Sequence, residues 1–171
     1  AAVAPGRVQV IAKGRLRQET ERAVLGVMAS GDYILGRETS AFESEICQYL
    51  GAGHAVGVSS GTEALLVALQ ELEVGCGDEV VTTPFTFIAT ATVIARLGAK
   101  PVFADIDPRT FQMDPRRLAE AITPRTKAVI GVHLYGHPAP LEEYLAICGG
   151  ASKPIALVED AAQAIGTVCR A

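Results

Sequence analysis

Nowhere does this sequence carry an apolar run approaching the roughly eighteen residues that a membrane-spanning helix needs, and it opens without a continuous apolar signal segment. No membrane partner is expected, and the expected compartment is the cytoplasm. Basic runs of about five residues are also missing. The net charge of −4 is spread over interspersed acids and bases, which argues against a nucleic-acid partner. Cys47, Cys76, Cys148 and Cys169 form no C-x-x-C pair and have no histidine pattern of the kind zinc requires, so they read as reduced core or surface thiols and no metal is expected. There is no G-x-G-x-x-G fingerprint, no Walker loop, no G-x-S-x-G elbow, no internal repeat and no low-complexity segment. What is present is 171 residues of 49% hydrophobic content, enough to bury a sizeable core and allowing one domain on length alone. Small-molecule chemistry is the natural expectation.

The stretch Gly57 to Leu66, GVSSGTEALL, organises the rest. His54 to Val58 is short, apolar and β-branched and reads as a strand, whereas Glu63 to Leu72 carries strong helix formers with leucines at helical spacing. Ser60 and Glu63 form a capping-box pair at the helix start. Gly61 permits close backbone approach, and the unpaired N–H groups of a helix N-terminus make an anion site that suits a phosphate. Locally, a plain helix cap accounts for the same residues.

Ala1 to Gly14 carries no clear pattern. Leu16, Ala23, Val24, Val27 and Met28 recur at helical spacing and predict a helix over 16–29, stopped by Ser30-Gly31-Asp32. Tyr33 to Gly36 reads as an exposed apolar loop, and Thr39 to Leu50 as a second helix with Phe42, Ile46 and Leu50 on one face and Gly51 and Gly53 ending it. After His54 strands and helices alternate: strands near 79–83, 101–104, 128–132 and 155–158, with helices over 87–97, 115–122 (capped by Asp114 before Pro115) and 141–147. The expected organisation is an N-terminal helical segment over 1–53 and an α/β domain over 54–171. Its fold class is α/β, a mostly parallel sheet with helices on both faces.

In open sheets of this class ligands collect beyond the carboxyl ends of the strands, where this sequence places its polar residues. Asp160 follows an apolar strand, and a carboxylate there can hold a proton on a heteroaromatic nitrogen or cap a following helix. If the stretch after it is helical, Gln163 lies on the same face. Phe87, from its own surroundings, reads as core. Asp105 and Asp107 read as turn formers before a proline, and His133 as a hydrogen-bonded strand-end residue of open role.

GDYILGRE at 31–38, GVSSGTEALLVAL at 57–69, GDEVVTTPFTFIATA at 77–91, PVFADIDP at 101–108, AITPRTKAVIGVHLYG at 121–136 and EDAAQAIG at 159–166 resemble, in order and spacing, the DegT/DnrJ/StrS family of pyridoxal-phosphate-dependent sugar aminotransferases. The resemblance covers about Arg15 to Gly166. It implies the large domain of a fold-type-I transferase, incomplete here, with pyridoxal 5′-phosphate as cofactor and a homodimer as the complete form. By motif position it implies that Gly61, Thr62 and Glu63 hold the cofactor phosphate, Phe87 stacks on the ring, Asp160 pairs with the ring nitrogen and Gln163 sits beside the phenolic oxygen. It also implies a nucleotide-linked keto-sugar substrate and an amino-acid donor. The family's Schiff-base lysine belongs to a later motif, and Lys13, Lys100, Lys127 and Lys153 do not occupy it. The chain is accordingly expected to be an N-terminal part of such an enzyme, with no catalytic lysine and no transaminase activity alone. A stand-alone cofactor-binding or regulatory module is the alternative, and a dinucleotide oxidoreductase is disfavoured by the missing glycine fingerprint.

Overall fold

The computed structural model describes residues 5–168. The chain divides into two compact units, 1–57 and 58–171. In the first, α1 (Pro5–Ser30) and α2 (Arg37–Leu50) are joined by the Tyr33–Gly36 loop, which is as exposed as its sequence suggests, Ile34 most of all. Helix α1 starts well before Leu16. Only glycine interrupts the stretch after Pro5, and a helix tolerates an interior glycine at about 1 kcal/mol. Both helices stop where read: Gly31 and Gly51 take left-handed φ of 75° and 66°, and the Gly51 N–H donates to the Cys47 carbonyl. No residue of α2 is buried, and Phe42 and Leu50 on its apolar face stand exposed.

His54 to Val58 does not form the expected strand. β-branched residues supply propensity, but a strand exists by its ladder, and none of the described residues pairs with this run. Gly57 instead donates its N–H to Glu43 Oε1 at 2.7 Å, within the first unit.

The second unit runs α3 (Gly61–Glu71), β1 (Glu79–Thr82), α4 (Ile88–Arg96), β2 (Lys100–Phe103), α5 (Pro115–Ala121), β3 (Thr126–Val132), α6 (Leu141–Gly149) and β4 (Ala156–Asp160). All strand pairs are parallel, in the order β2-β1-β3-β4. Alternate side chains face opposite ways. Val80, Ala128 and Ile130 pack with Leu65, Leu66 and Leu69 of α3 and Val93 and Ile94 of α4. Val81 and Val129 pack on the other face with Leu118 of α5 and Tyr144 and Cys148 of α6. Helices thus cover both faces, as the near-continuous apolar strands require. Burial pushes the Cys148 thiol pKa up, which keeps it an inert core group. Asp114 caps α5 by accepting the Arg116 N–H at 2.8 Å, and Asp105 and Asp107 accept backbone N–H groups of their own turns.

At the amino ends of the strands Glu79 is 2% exposed and accepts hydrogen bonds from the Thr123 hydroxyl at 2.5 Å and the Arg125 guanidinium at 2.7 Å. Those partners, the Thr123 bond first, hold its carboxyl down at about 2. Because the folded pKa lies below the unfolded one, this contribution is complete above about pH 5 and fades toward pH 2 as the carboxyl protonates. Urea unfolding midpoints measured from pH 6 to pH 2.5 should therefore fall less steeply for Glu79→Gln than for the unaltered chain. Parallel slopes would show that Glu79 does not set the acid sensitivity.

Candidate functional site

Within the second unit a cavity of about 220 Å³ opens at the carboxyl ends of β3 and β4. Its lining includes Gly61 and Thr62 from the start of α3, Thr86 and Phe87 before α4, His133 after β3, and Asp160 and Gln163 at and after β4. The register explains the convergence: Val132 lies opposite Asp160, and the His133 N–H continues the ladder to the Asp160 carbonyl at 3.0 Å.

The α3 end of the cavity is a set of donors. Ser60 Oγ accepts the Glu63 N–H at 3.2 Å, and the Ser60 carbonyl accepts the Ala64 N–H. Among the described residues the N–H groups of Gly61 and Thr62 and the Thr62 hydroxyl have no hydrogen-bond partner. A Cβ built on Gly61 would meet only Ala162 Cβ, at 3.8 Å, so the glycine faces the post-β4 turn across open space. The capping box is half made. Glu63 does not reach back to Ser60; its carboxylate pairs with Arg96 of α4 at 3.1 Å, and it does not line the cavity.

Across the cavity, the half-buried Asp160 is held by both oxygens: Oδ1 accepts the Ala162 N–H at 3.3 Å and Oδ2 the Thr90 hydroxyl at 3.1 Å. The residues after it form successive turns rather than the helix considered from sequence. Small side chains alone do not sustain a helix that has no apolar face to bury. Gln163 still reaches the site. Its Oε1 accepts the Tyr135 N–H at 2.9 Å, which fixes the amide orientation and leaves its NH₂ as the available donor. Tyr135 itself adopts a left-handed φ of 56°. Phe87 is not core: it is 67% exposed at the cavity rim, as the N-cap residue of α4.

His133 is buried. Its Nδ1 accepts the Ala139 N–H at 2.9 Å, so Nε2 carries the proton and donates to Glu159 at 3.2 Å. The strand-end histidine is thus a hydrogen-bonded support for the loop beside the cavity. Thr90 falls within the 77–91 motif, but its contact is not written there because its partner lies far along the chain. Its one signal is a hydroxyl on the apolar stripe that also carries Val93 and Ile94.

No described cluster of His, Cys, Asp and Glu could hold a metal, and no described helix is long and apolar enough to cross a membrane. The arrangement is a set of hydrogen-bond donors facing a clamped carboxylate, with an aromatic ring at the rim. A model of the DegT/DnrJ/EryC1/StrS aminotransferase family matches residues 15–171. The chain belongs to this family. It is 49% identical over 152 residues to the "pleiotropic regulatory protein" of Geobacillus stearothermophilus, covering 89% of this chain and 40% of that protein. It is 44% identical over 154 residues to UDP-2-acetamido-2-deoxy-3-oxo-D-glucuronate aminotransferase of Pseudomonas aeruginosa, covering 90% of this chain and 42% of the relative. The fold matches DesV of S. venezuelae, solved with a ketimine intermediate, at TM-score 0.87 and 42% identity, covering 91% of this chain and 42% of DesV. Spr1654 of Streptococcus pneumoniae, solved in its PLP form, matches at TM-score 0.79 and 34% identity, over 84% of this chain and 40% of that one. The chain therefore spans about 40% of the length of the curated relatives it matches.

Proposed function

We propose that this chain is the cofactor-binding part of a cytoplasmic, homodimeric aminotransferase that moves an amino group from an amino-acid donor to a nucleotide-linked keto-sugar. The observation that carries the reading is the pairing, across one cavity, of unpartnered donors at Gly61 and Thr62 with the doubly held Asp160. When bound, pyridoxal phosphate supplies an electron sink for a carbanion beside the amino group. The chain's own residues suit it. The Gly61 and Thr62 N–H groups and the Thr62 hydroxyl, at the positive end of α3, would take the phosphate. Asp160 would keep the proton on the ring nitrogen, the Gln163 NH₂ would donate to the phenolic oxygen, and exposed Phe87 would cover a ring face. Glu63 contributes through its backbone and its ion pair to Arg96, which hold the start of α3 in place.

Pyridoxamine 5′-phosphate is the cleanest probe, since it forms no Schiff base with surface lysines. By calorimetry it should bind at least about tenfold more tightly than pyridoxamine, the scale of one or two charge-assisted hydrogen bonds. Thr62→Val should narrow the gap. Equal affinity for the two compounds would leave Ser60 to Thr62 as a helix cap and nothing more. A second reading, a cofactor-binding regulatory module, is supported by the 49% identity to the "pleiotropic regulatory protein" of Geobacillus stearothermophilus. Tight binding without amino transfer in the full-length protein would select it.

A further inference from the structure

Helix α4 carries two threonines whose hydroxyls behave differently. Exposed Thr92 follows the usual helical habit and donates back to the Ile88 carbonyl one turn earlier, at 2.9 Å. Thr90 is fully buried and does not. Its hydroxyl reaches across to Asp160 Oδ2 at 3.1 Å, and the Thr86 hydroxyl lies 3.1 Å behind it. A carboxylate only accepts, so the Thr90 proton points to Asp160 and the Thr86 hydroxyl must be the donor to Thr90. The direction of both bonds is thereby fixed.

Position 90 is buried on the same helix face as Val93 and Ile94, where a valine would fill the same volume without burying a hydroxyl. The hydroxyl is explained by its partner. Asp160 ends β4, and its side chain can turn about its last bond. The Ala162 N–H on Oδ1 and the Thr90 hydroxyl on Oδ2 pin that rotation, leaving the remaining lone pairs for the cavity.

We propose that Thr90 is a positioning residue for Asp160, with Thr86 orienting the Thr90 hydroxyl, so that the carboxylate plane is set before any ring arrives. The proposal rests on the reading of Asp160 as the partner of a ring nitrogen. It assigns to α4, beyond the rim aromatic, a second contribution made wholly from beneath the cavity. Pre-set geometry of this kind removes an ordering cost from binding.

The test is a double-mutant cycle on pyridoxamine 5′-phosphate affinity, read by calorimetry with the whole chain. Thr90→Val should weaken binding about fivefold, less than loss of the Asp160 contact itself because the carboxylate stays and only its orientation is released, while Thr90→Ser stays within about twofold of the unaltered chain. In an Asp160→Ala background Thr90→Val should have no further effect. If Thr90→Val does not fold, Thr86→Val serves in its place, with about a twofold loss expected that also vanishes in the Asp160→Ala background. Weakening by Asp160→Ala with none from Thr90→Val overturns the positioning role alone. An equal loss from Thr90→Val in both backgrounds overturns it too, since a purely structural threonine would behave that way. Indifference of binding to Asp160→Ala, or no binding at all, removes the site reading and this inference with it.

Discussion

Replacing Tyr144 with alanine is expected to destabilise the chain by roughly 3–5 kcal/mol, the range for emptying a fully buried aromatic site. Tyr144 heads the fully buried side chains, on the α5/α6 face of the sheet. Two local features raise the cost. Its hydroxyl donates to the buried Met113 carbonyl at 2.6 Å, so truncation also orphans an acceptor, worth about 1–3 kcal/mol when nothing replaces the donor. Its ring lies over Gly131 of β3, where a Cβ would come within 3.3 Å of Cδ2 and Cε2. Tyr144→Phe, which keeps the ring, should show the smaller loss, and Gly131→Ala should destabilise the parent chain more than it does Tyr144→Leu. Urea denaturation of the single variants and of the Gly131→Ala/Tyr144→Leu double checks this; additive Gly131 and Tyr144 effects would mean the ring does not bear on the glycine.

Replacing Asp160 with alanine should reduce affinity for pyridoxamine 5′-phosphate by about 10- to 150-fold, corresponding to the roughly 1.5–3 kcal/mol of a hydrogen bond between charged partners. The same change takes from the buried Thr90 hydroxyl its bond to a charged partner, so a lowered melting temperature should accompany it. Asp160→Asn separates the two effects. An amide oxygen can keep one of the clamping bonds while the charge is lost, so stability should recover further than affinity. An Asn variant that binds as tightly as the parent would show that the carboxylate's charge is not what the ligand recognises.

Much of this architecture is legible locally. Asp114 before Pro115 marks the start of α5, Gly51 the end of α2, and apolar runs such as KAVIGV the buried strands, because caps, breakers and burial patterns are written within a few residues. His54 to Val58 misleads for the opposite reason: its residues suit a strand, yet only a neighbour could make it one. The site divides the same way. Gly61 and Thr62 open a helix and Asp160 ends a strand, places that any reading of an open sheet would inspect, and five of the six residues singled out by motif line one cavity. Glu63 does not, since Arg96 from the next helix claims its carboxylate. Nothing in ATATV announces that one threonine there reaches Asp160.

The strand order β2-β1-β3-β4 has a kinetic consequence. β1, α4 and β2 form one crossover and β3, α6 and β4 another, each closing over its own short stretch, while the β1–β3 ladder joins the two across everything in between. That join is the least local pairing in the sheet and so carries the heaviest loop-closure penalty during refolding. It is also the one laced at both ends by side chains, Glu79 to Thr123 and Arg125 at one and the Thr82 hydroxyl to the Ile130 carbonyl at the other. The seam is therefore expected to form last in refolding, and native-state hydrogen exchange should find its amides opening before those of the β1–β2 and β3–β4 ladders.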